Sequence, residues 1–361
     1  MLRDIELIKA FGYYALLRLP GIFWIWLLAS NRQESSYLAF GIASTISSLI
    51  VATFDSGSIV RAQILTESQF EFYEKRRYRL MIFLLFLAVL FSILHNPIGV
   101  YSSIISAGEL AMNHYRQKWR RAREVKLEQR LELMRQTVSV FIGSSIFFLT
   151  EDPAYAILAN ISIYLVFCGL LLKLSSIPRK KSTDASLSMS ISLDFNQLLG
   201  AVYQSIDVLL IGFLIGGQYG QDFAIYSLIF WYSTMPFQLM LNRIPVNDFS
   251  RFKLELAMLR TVIPVGCILL LLTAHEMKLV DMTFNGILCI GVASFFRCFN
   301  WQYNIVLAIQ QRYFIRGFNV GVAIMIKILS VFVLFDSKSF YLVILLSEAY
   351  LLTNRFARAD V

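Results

Sequence analysis

The sequence predicts an all-α polytopic membrane protein, with about twelve transmembrane helices in two parallel six-helix halves around a central cavity. Three observations predict it. The 361 residues are 57% hydrophobic and only 16% charged, with a mean hydropathy of +0.62. An ordinary soluble domain is about 45–50% apolar and about 25% charged. The apolar residues also fall into twelve runs near the length a bilayer core requires, roughly 17–25 residues per helix. The third observation is a strong bias in where the basic residues sit. Together these exclude disorder, fibrous repeats and most soluble enzymes.

The twelve runs cover 10–30, 37–54, 80–94, 97–115, 136–150, 154–173, 193–215, 223–242, 259–274, 279–296, 317–335 and 339–354. The first follows Met1-Leu2-Arg3-Asp4-Ile5-Glu6 without a small-residue cleavage site, so it is expected to be a retained helix. The runs at 80–94, 136–150 and 339–354 are short and must borrow flanking residues. With both termini inside, 28 of the 33 Lys and Arg residues fall in inner segments; Arg32, Lys278 and Lys338 fall outside. That bias sets the orientation, with cytoplasmic N- and C-termini. It also accounts for the net charge of +9 without a nucleic-acid partner.

The outer connections are tiny, as at His95-Asn96 and Glu151-Asp152-Pro153. Inner connections are longer. Gln117–Arg135 either extends its neighbouring helices along the membrane surface or forms a solvated charged connector. Ser175–Ser190, with Pro178 and the Arg179-Lys180-Lys181 run, reads as a cytoplasmic linker. The expected division is therefore 1–174 as one six-helix bundle, 175–192 as linker and 193–361 as a second bundle. Six spans return the chain to its starting side, so the halves would be parallel repeats, a transporter architecture.

Ionisable groups inside spans are costly, about 2.5–3.5 kcal/mol at a helix centre on insertion scales, so each should face a cavity or a partner. Arg18, one turn after Tyr14 and just before Pro20, is either a cavity cation or a snorkelling or ion-paired group. Lys327, near the middle of its run, is either a cavity cation or a partner for a carboxylate. In the seventh run Asn196, Gly200, Tyr203, Gln204 and Asp207 recur at helical spacing and give one polar face. Asp207 is read first as the counter-charge to Arg18 or Lys327, and second as a proton or cation site. The eighth run repeats the pattern more weakly with Thr234, Gln238 and Asn242 around Pro236. Asp55, followed by Ser56-Gly57 and then Arg61, is either an inner gate or a Gly-assisted helix end. Glu109 and Glu348 are further gate or ion-pair candidates.

Four cysteines in apolar runs read as core residues, and with three histidines no metal site is expected. No nucleophile–base pair, phosphate loop or zinc-protease motif is present in the sequence, so no catalytic residue and no bound cofactor are expected. An H+ or Na+ gradient, the membrane potential or consumption of the product would supply the driving force.

The run Tyr203-Gln204-Ser205-Ile206-Asp207-Val208-Leu209-Leu210-Ile211-Gly212, with Tyr226 in the next span, resembles the seventh and eighth spans of Wzx-type flippases. These form the polysaccharide-transport branch of the multidrug/oligosaccharidyl-lipid/polysaccharide exporter superfamily. Leu38–Arg61, ending in Asp-x-Gly and an Arg, is similar to that family too. The resemblance covers the whole chain in topology and about 60 residues by motif. It implies a bacterial cytoplasmic-membrane flippase for undecaprenyl-pyrophosphate-linked oligosaccharide repeat units, working by alternating access. On that implication Arg18 and Lys327 would meet the pyrophosphate, and Asn196, Gln204 and Gln238 the sugar hydroxyls. A polysaccharide polymerase and a chain-length regulator would be partners, along with membrane lipid. A drug/cation antiporter of the same superfamily is the first rival, but that branch uses a carboxylate in the first span, where this chain carries Arg18. A membrane polysaccharide polymerase or glycosyltransferase is the second, but such enzymes need a sizeable outer loop.

Overall fold

A computed structural model describes residues 12, 15–16, 19–30, 34–55, 67–121, 125–175, 191–214, 217–241, 253–309, 312–335 and 339–356. Among them all regular structure is helical: α1 (Leu19–Ser30), α2 (Glu34–Asp55), α3 (Glu67–Ile93), α4 (Pro97–Arg121), α5 (Val125–Thr150), α6 (Pro153–Ser175), α7 (Ile191–Leu214), α8 (Gly217–Leu241), α9 (Lys253–Glu276), α10 (Phe284–Ile309), α11 (Tyr313–Val333) and α12 (Tyr341–Phe356). Each apolar run of the sequence lies largely on one of these helices. Several helices continue past their runs. α3 begins at Glu67, well before the run at 80–94, and α10 continues through Arg297 to Ile309.

Five segments among the described residues are long and apolar enough to cross a membrane: Leu38–Asp55, Arg130–Thr150, Pro153–Leu170, Glu255–Glu276 and Phe314–Val333. Surface chemistry agrees. α9 exposes Met258, Val262, Val265 and Leu269 at helical spacing, and α11 exposes Phe314, Phe318, Met325, Leu329 and Phe332. Continuous apolar stripes of this extent mark a membrane-facing surface. The interior combines an apolar core with buried polar groups. α4 alone buries Ser102, Ser103, Ser106, Asn113, His114 and Gln117. Buried polar groups between apolar-faced helices bond to one another across the helices.

The tight turns follow from local chemistry. His95 has φ 52°, with Asn96 N–H reaching Phe91 O (2.9 Å) and His95 N–H reaching Ser92 O (3.1 Å). Lys278 has φ 55°, with Leu279 N–H on Ala274 O (2.9 Å) and Lys278 N–H on His275 O (2.8 Å). Both are left-handed helix ends of the Schellman type, which satisfy the last carbonyls. Glu151, φ 55°, ends α5 by a single bond to Phe147 O (2.8 Å). The next helices are capped at once. Asn96 Oδ1 accepts from Gly99 N–H (2.9 Å), Asp152 Oδ1 from Ala154 N–H (2.7 Å) and Thr283 Oγ1 from Gly286 N–H (3.2 Å). Pro97 and Pro153 then open α4 and α6, where a missing N–H costs nothing.

The chain divides into two compact units, Ser35–Ala201 and Met1–Glu34 with Val202–Val361. In the first, α4 is the hub and packs on α3, α5 and α6, while α5 packs on α6. In the second, α10 is the hub and packs on α8, α9, α11 and α12, while α11 packs on α12. α1 joins this second unit through α8, where Gly21 lets Tyr232 approach: a Cβ there would lie 3.2 Å from the phenol oxygen. Both hubs carry glycines where a Cβ would collide with a neighbour. At Gly108 it would lie 2.2 Å from Tyr164, and at Gly291 2.5 Å from Ile268. Close approach at small residues is how membrane helices gain packing contacts.

Candidate functional site

Each hub helix carries a buried charge network. In the first unit Asp55 ends α2 and its carboxylate accepts twice, Oδ1 from Arg77 Nε (2.8 Å) and Oδ2 from Asn113 Nδ2 (2.8 Å). Arg77 also donates to Gln117 Oε1 (2.5 Å). The Arg77 and Asp55 side chains are each 1% exposed. Asn113 Oδ1 accepts from Arg116 (2.9 Å), which joins this pair to a second group. There Arg116 bridges Glu109 (2.8 Å) and Glu132 (2.6 Å), and Glu132 also accepts from Arg135 and Gln136 (2.7 Å each). Arg135 donates to the Tyr164 hydroxyl (2.6 Å), which donates in turn to Glu109 (3.2 Å). Among the described residues three arginines face three carboxylates.

In the second unit Lys327 Nζ donates to Asp207 Oδ2 (2.6 Å) and to the Tyr203 carbonyl (2.7 Å). Its ammonium lies 4.2 Å from the centre of the Tyr203 ring. Asp207 also accepts the Val208 N–H at Oδ1 (3.0 Å). The Tyr203 hydroxyl donates to Glu348 (2.9 Å) and meets Ser347 Oγ (3.0 Å). Glu348 further accepts from Arg297 Nη1 (3.1 Å) and Asn300 Nδ2 (2.7 Å), and Asn300 also donates to the Glu348 carbonyl (3.0 Å). The Arg297 guanidinium sits 4.2 Å from the Trp301 ring centre, 4.4 Å from Trp231 and 5.2 Å from Tyr203. Two cations face two carboxylates, and these four charges cancel. All four charged side chains are at most 4% exposed.

The two networks share a register. In each hub a capping residue precedes a glycine (Asn96 and Gly99; Thr283 and Gly286), and a buried asparagine follows that glycine at the same spacing (Asn113; Asn300). Each asparagine donates its amide to a carboxylate on another helix, Asp55 or Glu348.

Of the residues singled out from the sequence, Asp207, Lys327, Tyr203 and Glu348 meet in one network, and Asp55 and Glu109 in the other. Gln204 and Gln238 are half-buried on α7 and α8. Asn196 lies on α7, but its side chain is outside the described residues, as are Tyr14, Arg18, Arg61 and Asn242. Sequence reasoning missed Arg77, Arg116, Arg135, Arg297 and Asn300, because it grouped them with the inner loops. A usable signal existed. Arg297, Asn300 and Trp301 stand at i, i+3 and i+4, as do Glu132, Arg135 and Gln136, so each set shares one helical face.

Among the described residues no group of three or more His, Cys, Asp or Glu is placed to hold a metal ion. What the arrangement offers is exchangeable charge pairing. Each buried ion is costly alone and stable only with its partner. No family model matches the chain, and no curated protein or solved structure matches it either.

Proposed function

We propose that this protein is a membrane transporter with twelve spans in two parallel six-helix halves. Its cargo is a lipid-linked oligosaccharide of the undecaprenyl-pyrophosphate type, moved from the inner to the outer leaflet of a bacterial cytoplasmic membrane by alternating access. The observation that carries the reading is the recurrence of one buried design in both units. One helix in each unit is the hub, a Gly-then-Asn register lies along it, and a network of paired ions ties it to other helices. Parallel repeats with ionisable groups inside apolar helices support a transport role. Buried ion pairs and indole and amide groups support a cargo that carries both phosphate and hydroxyls, and the resemblance at Tyr203–Gly212 points the same way. H+ or Na+ coupling belongs to the same proposal.

The pyrophosphate is assigned to Arg18, within the first apolar run, together with Lys327. Alanine or glutamate at Arg18 should abolish surface polysaccharide while the protein remains in the membrane at its normal level. Normal polysaccharide with both substitutions would overturn the assignment.

A further inference from the structure

Four buried polar atoms around α10 have no hydrogen-bond partner among the described residues: Arg297 Nε, Trp231 Nε1, Trp301 Nε1 and Asn300 Oδ1. They belong to a single knot. The guanidinium lies over both indoles, and Arg297 and Asn300 share the Glu348 carboxylate. Arg297 is 3% exposed and Asn300 1%. An unmet buried donor or acceptor is costly, and hydrocarbon offers nothing to offset it. Four in one place point to a polar guest.

The chemistry of that guest follows from the atoms. Three are donors and one is an acceptor. The charges of Arg297, Lys327, Asp207 and Glu348 already cancel, so a guest with net charge would itself be left uncompensated. The indole faces are taken by Arg297, which leaves their N–H edges for bonding. Two neutral oxygens, each able to accept and to donate, meet these demands, which describes a pair of hydroxyl groups. We propose that Arg297, Trp231, Trp301 and Asn300 form a hydroxyl-binding cage in the second unit. Two sources carry that chemistry: the glycan of a lipid-linked cargo, and ordered water. The glycan source rests on the transport reading above; the cage itself does not.

The test reads the hydrogen-bond state of the indole N–H by ultraviolet resonance Raman spectroscopy. The full-length protein is purified in lauryldimethylamine oxide and placed in lipid discs free of carbohydrate. Subtracting the spectrum of Trp301→Phe, which removes the N–H and keeps a ring, isolates one of the five tryptophans. Trp231→Phe is measured in parallel, so loss of folding in one variant leaves the other as the readout. A hydrogen-bonded indole in the carbohydrate-free discs supports the cage with water as its guest. An indole bonded only after dodecyl maltoside is added, and not after more lauryldimethylamine oxide, supports it with a sugar as guest. Indoles free of hydrogen bonds under all conditions would overturn the proposal. A bonded indole in a protein that moves no lipid-linked glycan would leave the cage standing and remove the transport reading instead.

Discussion

The networks on α4 and α10 solve one problem in two environments. On α10 the ions are at most 4% exposed, one of the two cations is a lysine, and aromatic rings surround both cations. On α4 the Asp55–Arg77 pair is equally buried, but Arg116 and Glu109 are 18% and 22% exposed and every cation is an arginine. The α4 network spreads its charge over bidentate guanidinium bridges and reaches toward solvent. The α10 network is shielded from bulk solvent and holds Lys327, a point charge, against a single carboxylate and a carbonyl. Arginine forks tolerate the loss of one contact better than a lysine with one counter-ion. The second unit is therefore the one where a single substitution should cost most.

The sharpest way to break that contrast is Asp207→Asn, which strands Lys327 in the interior. It should destabilise the protein by about 3–5 kcal/mol, read as thermal unfolding in detergent. The paired change Asp207→Leu with Lys327→Met should restore most of that loss, because it leaves neither charge behind. Recovery failing in the double variant would mean that the pair does more than neutralise itself.

A smaller effect compares the two hub amides directly. Asn113→Leu and Asn300→Leu each remove a donor from a buried carboxylate, at about 1–3 kcal/mol. Asn300 should stand at the upper end, since its network is the more buried of the two. Equal losses at the two positions would show that burial does not separate the units.

The smallest effect concerns the turns. Lys278 holds a left-handed φ that glycine adopts without strain. Lys278→Gly should stabilise by up to about 1 kcal/mol, a shift of unfolding temperature opposite in sign to the others.

Hydropathy located the helices because apolar runs must be helical in lipid, and the lone charges Asp207 and Lys327 stood out for the same reason. The helix ends were less legible. α3, α4, α5 and α10 continue beyond their apolar runs, so Arg77, Arg116, Arg135 and Arg297 read as loop charges although they sit inside bundles. Charge census alone cannot tell a basic residue that faces the cytoplasm from one that pairs across helices. Partner choice was legible only in part. Asp207 had two candidate cations in the sequence, and it is the fold that brings Lys327 to 2.6 Å from it. The Gly-then-Asn register shared by α4 and α10 is two residues in each helix, too sparse to stand out before the caps fixed its phase.

The most direct measurement of the transport claim follows lipid-linked glycan in cells that lack this protein, with each leaflet probed separately. The account predicts accumulation in the inner leaflet, relieved by the wild-type chain and not by Arg18→Glu. An unchanged distribution between leaflets would contradict it.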